Sequence, residues 1–205
     1  MQKENYREVF ERFVPTMAVD YCLDLWWDYK FEFKITKGRQ TKLGDYRFHP
    51  VKKAHVVSVN NNLNPFAFLI TYIHEVAHLV VYNDHKNKVS PHGGEWKSAF
   101  KQLMLPMLRS EVFPDDILRV LARHMKNPKA SSYSDPNLIT ALGHYDRDQS
   151  GMLLSQVPVN EEFIFNKRLF SKIELRRTRV VCKEIKSGRK YLISQTAKVQ
   201  LAEKG

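Results

Sequence analysis

Apolar and polar positions follow a helical period over the first part of the chain. Residues 2–13 and 16–29 read as helices, the second with Val19, Leu23, Trp26 and Trp27 on one stripe and Asp20, Asp24 and Asp28 on another. From Phe31 the period drops to two, through FEFKI, a turn at Lys37-Gly38, LGDYRF and AHVVSVN. Three such runs in succession predict an antiparallel meander. Asn64-Pro65 supplies an N-cap and a proline at the first helical position, and opens an apolar helix that runs to about Tyr82. The polar stretch NDHKNKVSPHGG ends it. Trp96, Phe100, Leu103, Met104, Met107 and Leu108 mark another helix, which Pro106 kinks or shortens, and Asp115 to Met125 a short one after it.

NPKASSYSDPN is rich in turn formers and places a boundary between about residues 127 and 150. Past it, EEFIF, ELRRTRVVCKEI and KYLISQTAKVQL read as strands, the last two joined into a hairpin by Lys186-Ser187-Gly188-Arg189. The expected class is α+β, with helices packed on a small antiparallel sheet over residues 1–145 and a β-rich module over residues 146–205.

Composition and charge add to this picture. A hydrophobic share of 43% with 12% aromatic residues suffices for a packed core in 205 residues. The start, MQKENYREVFERF, is too charged for a signal peptide, and no apolar run is read as reaching the roughly 18 residues of a membrane span. Cys22 and Cys182 form no CxxC pair, so the expectation is a reducing cytoplasmic location with no membrane partner. The formal charge of +11 is uneven: residues 163–205 carry +9 of it, leaving +2 for the rest. A basic C-terminal segment suits a phosphate backbone and makes DNA a candidate partner.

The chemistry lies in the pentad His74-Glu75-Val76-Ala77-His78. On a helix, residues four apart share a face, so both imidazoles can aim at one ion, while Glu75 sits one position round and can reach a water without binding the metal. A catalytic zinc keeps three protein ligands and one open position, so a third ligand must come from elsewhere. Asp84 occupies the place at which metzincins carry their third ligand, but Val81 stands where those proteins have the turning glycine, and His85 fails with it. Glu95 offers a ligand from a following helix. His92 is the strongest candidate, because Gly93-Gly94 let the backbone swing a side chain inward and Trp96 can anchor the loop by its indole.

HEVAHLVV followed by PHGGEWKSAF resembles the SprT-like metallopeptidases, in which HExxH is followed, past a variable loop, by HGxxW or HGxxF. LGDYRFHP and HVVSVNNNLNP resemble that family too, so the likeness spans about residues 16–110. It implies a zincin-like core, one zinc ion on His74, His78 and His92, and Glu75 as the catalytic carboxylate of a peptidase acting on protein substrates. A peptide strand is expected to add to the run Val56 to Asn60, with Tyr133, His144 and Tyr145 as candidates to stabilise the oxyanion. Bacterial SprT proteins carry a zinc ribbon after the core. Here only Cys182 remains, so the expectation is a ribbon-like β appendage without a second structural zinc. Its Arg176, Arg177, Arg179, Lys183, Arg189 and Lys190 are candidate phosphate contacts, and Tyr191 a candidate to stack on a base. Relatives such as Spartan act on proteins crosslinked to DNA, which implies a DNA-associated substrate and a nucleoid location. The alternative is a DNA-binding or adaptor protein with a silent protease-like core. A non-peptide metallohydrolase is a third reading.

Overall fold

The computed structural model describes residues 3–39, 42–129, 135–147 and 150–202. The chain divides into two compact units, residues 1–132 and 133–205. That division falls inside the expected linker span and before the expected junction at 145/146, so helix α6 (Pro136–Gly143) groups with the second unit.

In the first unit, helices α1 (Lys3–Phe13) and α2 (Val19–Tyr29) precede strands β1 (Glu32–Thr36), β2 (Gly44–His49) and β3 (Ala54–Asn60). Helices α3 (Pro65–His85), α4 (Gly94–Met104) and α5 (Asp115–Lys126) follow. A 3-10 turn at Leu105–Met107 ends the α4 segment where Pro106 forbids further α-helix. The three strands do not form a meander. Their order is β1-β3-β2, with β3 in the centre, parallel to β1 and antiparallel to β2. Burial explains the choice: Val57 and Val59 are fully buried, and Ser58 and Asn60 on the opposite side are nearly so, the pattern of a strand covered on both faces. Asn60 also holds the β1–β2 connection over the sheet, its amide donating to the carbonyls of Arg39 and Lys42.

Helix α3 begins as its sequence requires, Asn64 Oδ1 accepting from the Ala67 N–H at 2.9 Å with Pro65 behind it. It packs on β2, β3 and α4, and Phe68, Tyr72 and Phe33 join Phe10 and Phe31 in an aromatic core. Among the described residues it is the one helix long and apolar enough to cross a membrane, contrary to the sequence reading, and most of it is buried in protein.

The second unit is a six-stranded antiparallel sheet, β4 (Met152–Leu153), β5 (Glu162–Phe165), β6 (Arg168–Leu175), β7 (Arg179–Glu184), β8 (Lys190–Ser194) and β9 (Lys198–Leu201), in the order β4-β9-β5-β6-β7-β8. Two segments read as single strands each divide in two. ELRRTRVVCKEI reverses at Arg176-Arg177-Thr178, closed by the Arg176 N–H on the Arg179 carbonyl, and KYLISQTAKVQL breaks between Ser194 and Lys198. Neither turn contains glycine or proline, so composition did not mark them. Phe163, Phe170, Val180, Cys182 and Val199 fill the core of this unit.

Candidate metal centre

One face of α3 carries His74 and His78 a turn apart, with their Nε2 atoms 3.2 Å from each other. His92, from the loop before α4, brings a third Nε2 to 3.2 Å from His74 and 2.9 Å from His78. A neutral imidazole has one N–H and one lone pair, so three ring nitrogens in mutual contact cannot all be satisfied by hydrogen bonds to one another. A shared cation satisfies them: nitrogens at about 2.0–2.1 Å from a tetrahedral ion lie roughly 3.3 Å apart. The observed spacing is close to that, and the three residues can hold a metal ion. Burial also keeps them unprotonated. It lowers His74 well below the usual histidine range, helped by His78, His92 and His124, pushes His78 down to about 4 with help from His92, and lowers His92. Their lone pairs are therefore available at neutral pH.

The loop reaches the helix by a route the glycines alone did not indicate. The left-handed residue is His92 itself, at φ 60, while Gly93 is extended and caps α4. A Cβ at Gly93 would crowd the Ser90 carbonyl at 3.0 Å, so the glycine relieves a tight contact in this loop. Trp96 is fully buried, and its indole lies against His74, His78 and His92 at ring-centroid distances of 4.5, 5.5 and 4.7 Å. Its Nε1–H donates to the His74 carbonyl at 3.4 Å. One side chain thus braces all three imidazoles, as expected of an anchor.

Glu75 is 7% exposed and leans on strand β2, where its carboxylate accepts from the Tyr46 backbone N–H. Burial, and then the neighbouring Asp45 carboxylate, push its pKa up to about 8 against the pull of Arg39, the Tyr46 N–H and Lys42. Arg39 is fixed by Asn60 Oδ1 at 2.8 Å, and Asp45 by Lys42 and Arg47. The Tyr46 ring lies parallel to His78 with centroids 6.5 Å apart, and its hydroxyl meets His55 Nδ1 at 2.9 Å. Gly44, Tyr46, His55 and the buried His124 carry no role on sequence alone; the runs LGDYRF and HVVSVNNNLNP contain the first three, and nothing in the sequence marks His124.

Strand β3 is flanked on both sides, so the run Val56 to Asn60 has no free edge for a peptide. Of the two edge strands, β1 and β2, it is β2 that packs on α3, so a peptide would add there rather than to β3. Asp84 and His85 continue α3, and Glu95 sits exposed in the first turn of α4; none joins the three histidines. Tyr133 lies outside the described residues. His144 and Tyr145 belong to the second unit.

In that unit Arg179, Lys183 and Lys190 share the outer face of the sheet, with Lys183 directly opposite Lys190. Arg176 is paired with Glu174 at 2.7 Å, and Arg177 and Arg189 lie in turns. Tyr191 is on the other face, edge-on to Phe170 at 5.6 Å and beneath the Arg168 guanidinium at 4.7 Å, so its ring is already engaged and does not offer a base a free surface. Cys182 is buried, and burial pushes its thiol up to about 11, which makes it a core residue rather than a nucleophile. Compared with protein families, with curated proteins and with solved structures, the chain finds no match in any of the three.

Proposed function

We propose that this chain is a zinc-dependent metallopeptidase with a zincin-like core related to the SprT-like family, as its HEVAH and HGGEW motifs suggest. The observation that carries the reading is the convergence of three neutral imidazole nitrogens within 3.2 Å, beside a buried glutamate one position along the helix. Zinc on those nitrogens would polarise a peptide carbonyl and acidify a water molecule. Glu75 is the base: the positive charge of a bound zinc would draw its pKa down from about 8, and the resulting carboxylate takes a proton from the attacking water and returns it to the departing amine nitrogen as the C–N bond breaks. No covalent enzyme intermediate is needed. The free edge of β2, from Gly44 to His49, binds the peptide as an added strand, and the Tyr46 N–H that holds Glu75 ties that edge to the base.

The second unit is the metal-free counterpart of a zinc ribbon. In support, the Lys172 ammonium is buried and donates to the carbonyls of Leu154, Ser155 and Val157, a cross-link between strand and loop that uses no metal. Its outer face contacts DNA: Lys183 and Lys190 are opposed like charges with no carboxylate partner among the described residues, an arrangement that costs stability unless an anion neutralises it. The substrates are then proteins associated with or crosslinked to DNA.

Zinc content and cleavage of a disordered protein, with and without DNA, test the reading in wild type and Glu75→Gln. One zinc per chain, with cleavage lost in Glu75→Gln, is the expected result. Zinc retained without cleavage in either protein would turn the assignment to a DNA-binding or adaptor protein with a silent core. Absence of DNA binding at low salt, or binding unchanged by Lys183→Glu with Lys190→Glu, removes the DNA part.

A further inference from the structure

An open cleft of about 490 Å³ is lined by His78 and Trp96 of the metal centre and by the loop that leads to His92. Pockets of that size accept a whole bulky side chain with part of its backbone. Its walls are the half-buried rings of Tyr46, Phe48 and Tyr82, with Lys86 and Val89 at the far side. Phe48 stacks on Tyr82 at 4.7 Å, and Tyr46 lies 6.0 Å from the same ring, so the three form a continuous aromatic surface. Among the described residues no carboxylate lines the cleft. Lys86 has no carboxylate partner among the described residues; its ammonium lies 5.2 Å over the Tyr82 ring. Arg47, by contrast, is spent on Asp45 at 2.5 Å. Strand geometry links the cleft to the peptide path. Side chains alternate along a strand, and Tyr46 and Phe48 share the face of β2 that turns toward α3. A peptide laid on the β2 edge presents every second side chain to that same face.

On the reading that this centre cleaves peptides, we infer that the cleft is its main specificity pocket and takes an aromatic side chain next to the bond that is cut. Aromatic walls reward ring stacking, which a small side chain cannot supply. Lys86 works in the opposite sense, repelling lysine and arginine where no carboxylate can offset the repulsion. The substrate class is therefore a polypeptide with phenylalanine, tyrosine or tryptophan flanking the cut, and a basic residue at that place is rejected.

The test uses short blocked peptides that differ only at one central position, occupied by Phe, Leu, Ala, Lys or Glu. Affinity is measured by fluorescence anisotropy on the full-length Glu75→Gln protein, with and without zinc. Cleavage sites are mapped by mass spectrometry with zinc-loaded wild type. The Phe peptide is expected to bind about tenfold more tightly than the Ala peptide, with Lys weakest, in line with the discrimination a hydrophobic pocket supplies. Tyr82→Ala should erase the preference for Phe over Ala, and Lys86→Glu, a surface change that leaves the core intact, should rescue the Lys peptide alone. Equal binding of all five peptides, no binding of any, or preferences unchanged by Lys86→Glu would overturn the pocket. Cleavage without preference for Phe overturns the pocket and leaves the peptidase standing. Phe-selective binding without cleavage upholds the pocket and overturns the peptidase.

Discussion

The Oε1 atom of Glu75 lies 2.5 Å from where a Cβ on Gly44 would stand. The glutamate can rest on β2 only because position 44 has no side chain. Gly44→Ala should displace the carboxylate from the Tyr46 N–H while leaving the three histidines in place. Overpacking of this kind costs about 1–3 kcal/mol. A misplaced catalytic group can cost on the order of a hundredfold in rate. Zinc titration alongside a cleavage assay checks it: full zinc uptake with severely reduced cleavage is the expected pair of results, and unchanged cleavage would count against the role given to Glu75.

Two pH effects of opposite sign act on the metal-free protein. Folding lowers the histidines, His78 to about 4, so their contribution is present above the unfolded pKa and is lost as pH falls from about 6.5 toward 4. Folding raises Glu75 to about 8, so its contribution is present below about 4.5 and is lost as pH rises toward 8. Glu75→Gln removes only the second effect. Thermal melts of metal-free protein should show the variant gaining on wild type from pH 4.5 to 8, by a few kcal/mol at most. A constant difference across that range would contradict the burial of the carboxyl.

His92 combines a left-handed backbone with a ligand nitrogen. Asparagine tolerates that backbone and alanine does not, so His92→Asn separates the two roles. Zinc at a hundred times its Kd should stabilise wild type by about 2.7 kcal/mol, which is roughly a 5–10 °C rise in Tm at this size. In His92→Asn the metal-free Tm should stay near that of wild type while the zinc-induced rise shrinks. In His92→Ala both should fall. Calorimetry with and without a chelator distinguishes the cases.

Lys172 carries the loop from Leu154 to Val157 on one ammonium group. Lys172→Met keeps the length of the side chain and removes the three donors, leaving buried carbonyls unsatisfied at about 1–3 kcal/mol each, with relaxation recovering part. Amide exchange should quicken at Leu154, Ser155 and Gln156, whose N–H groups bond to Ala197, Gln195 and Leu153, while the Val180–Cys182 strand stays protected. Equal protection in variant and wild type would show the clamp to be dispensable.

Local chemistry was legible in the chain. Asn64-Pro65 announces the start of α3, because a cap and a fixed φ act within one turn, and the spacing of His74 and His78 places both on one face wherever that helix packs. His92 could be ranked first from residue types, and it does meet the pair, but the means differs: the strain falls on the histidine and not on the glycines after it. Strand number in the second unit is not legible in the chain, because the reversal at Arg176-Arg177-Thr178 uses residues that equally suit a strand.

The sequence by itself determined the alternation of helical and extended segments, the shared face of His74 and His78, and the concentration of positive charge after residue 163, since each depends on neighbours along the chain. Only the tertiary structure decided that β3 lies between β1 and β2, that β2 is an edge strand, that Gly44 makes room for Glu75, and that Tyr191 faces inward. A period of two says that a segment is extended and which residues share a face. It does not say which strand lies beside which, because that is settled by burying Val57 and Val59 between layers that are distant in sequence.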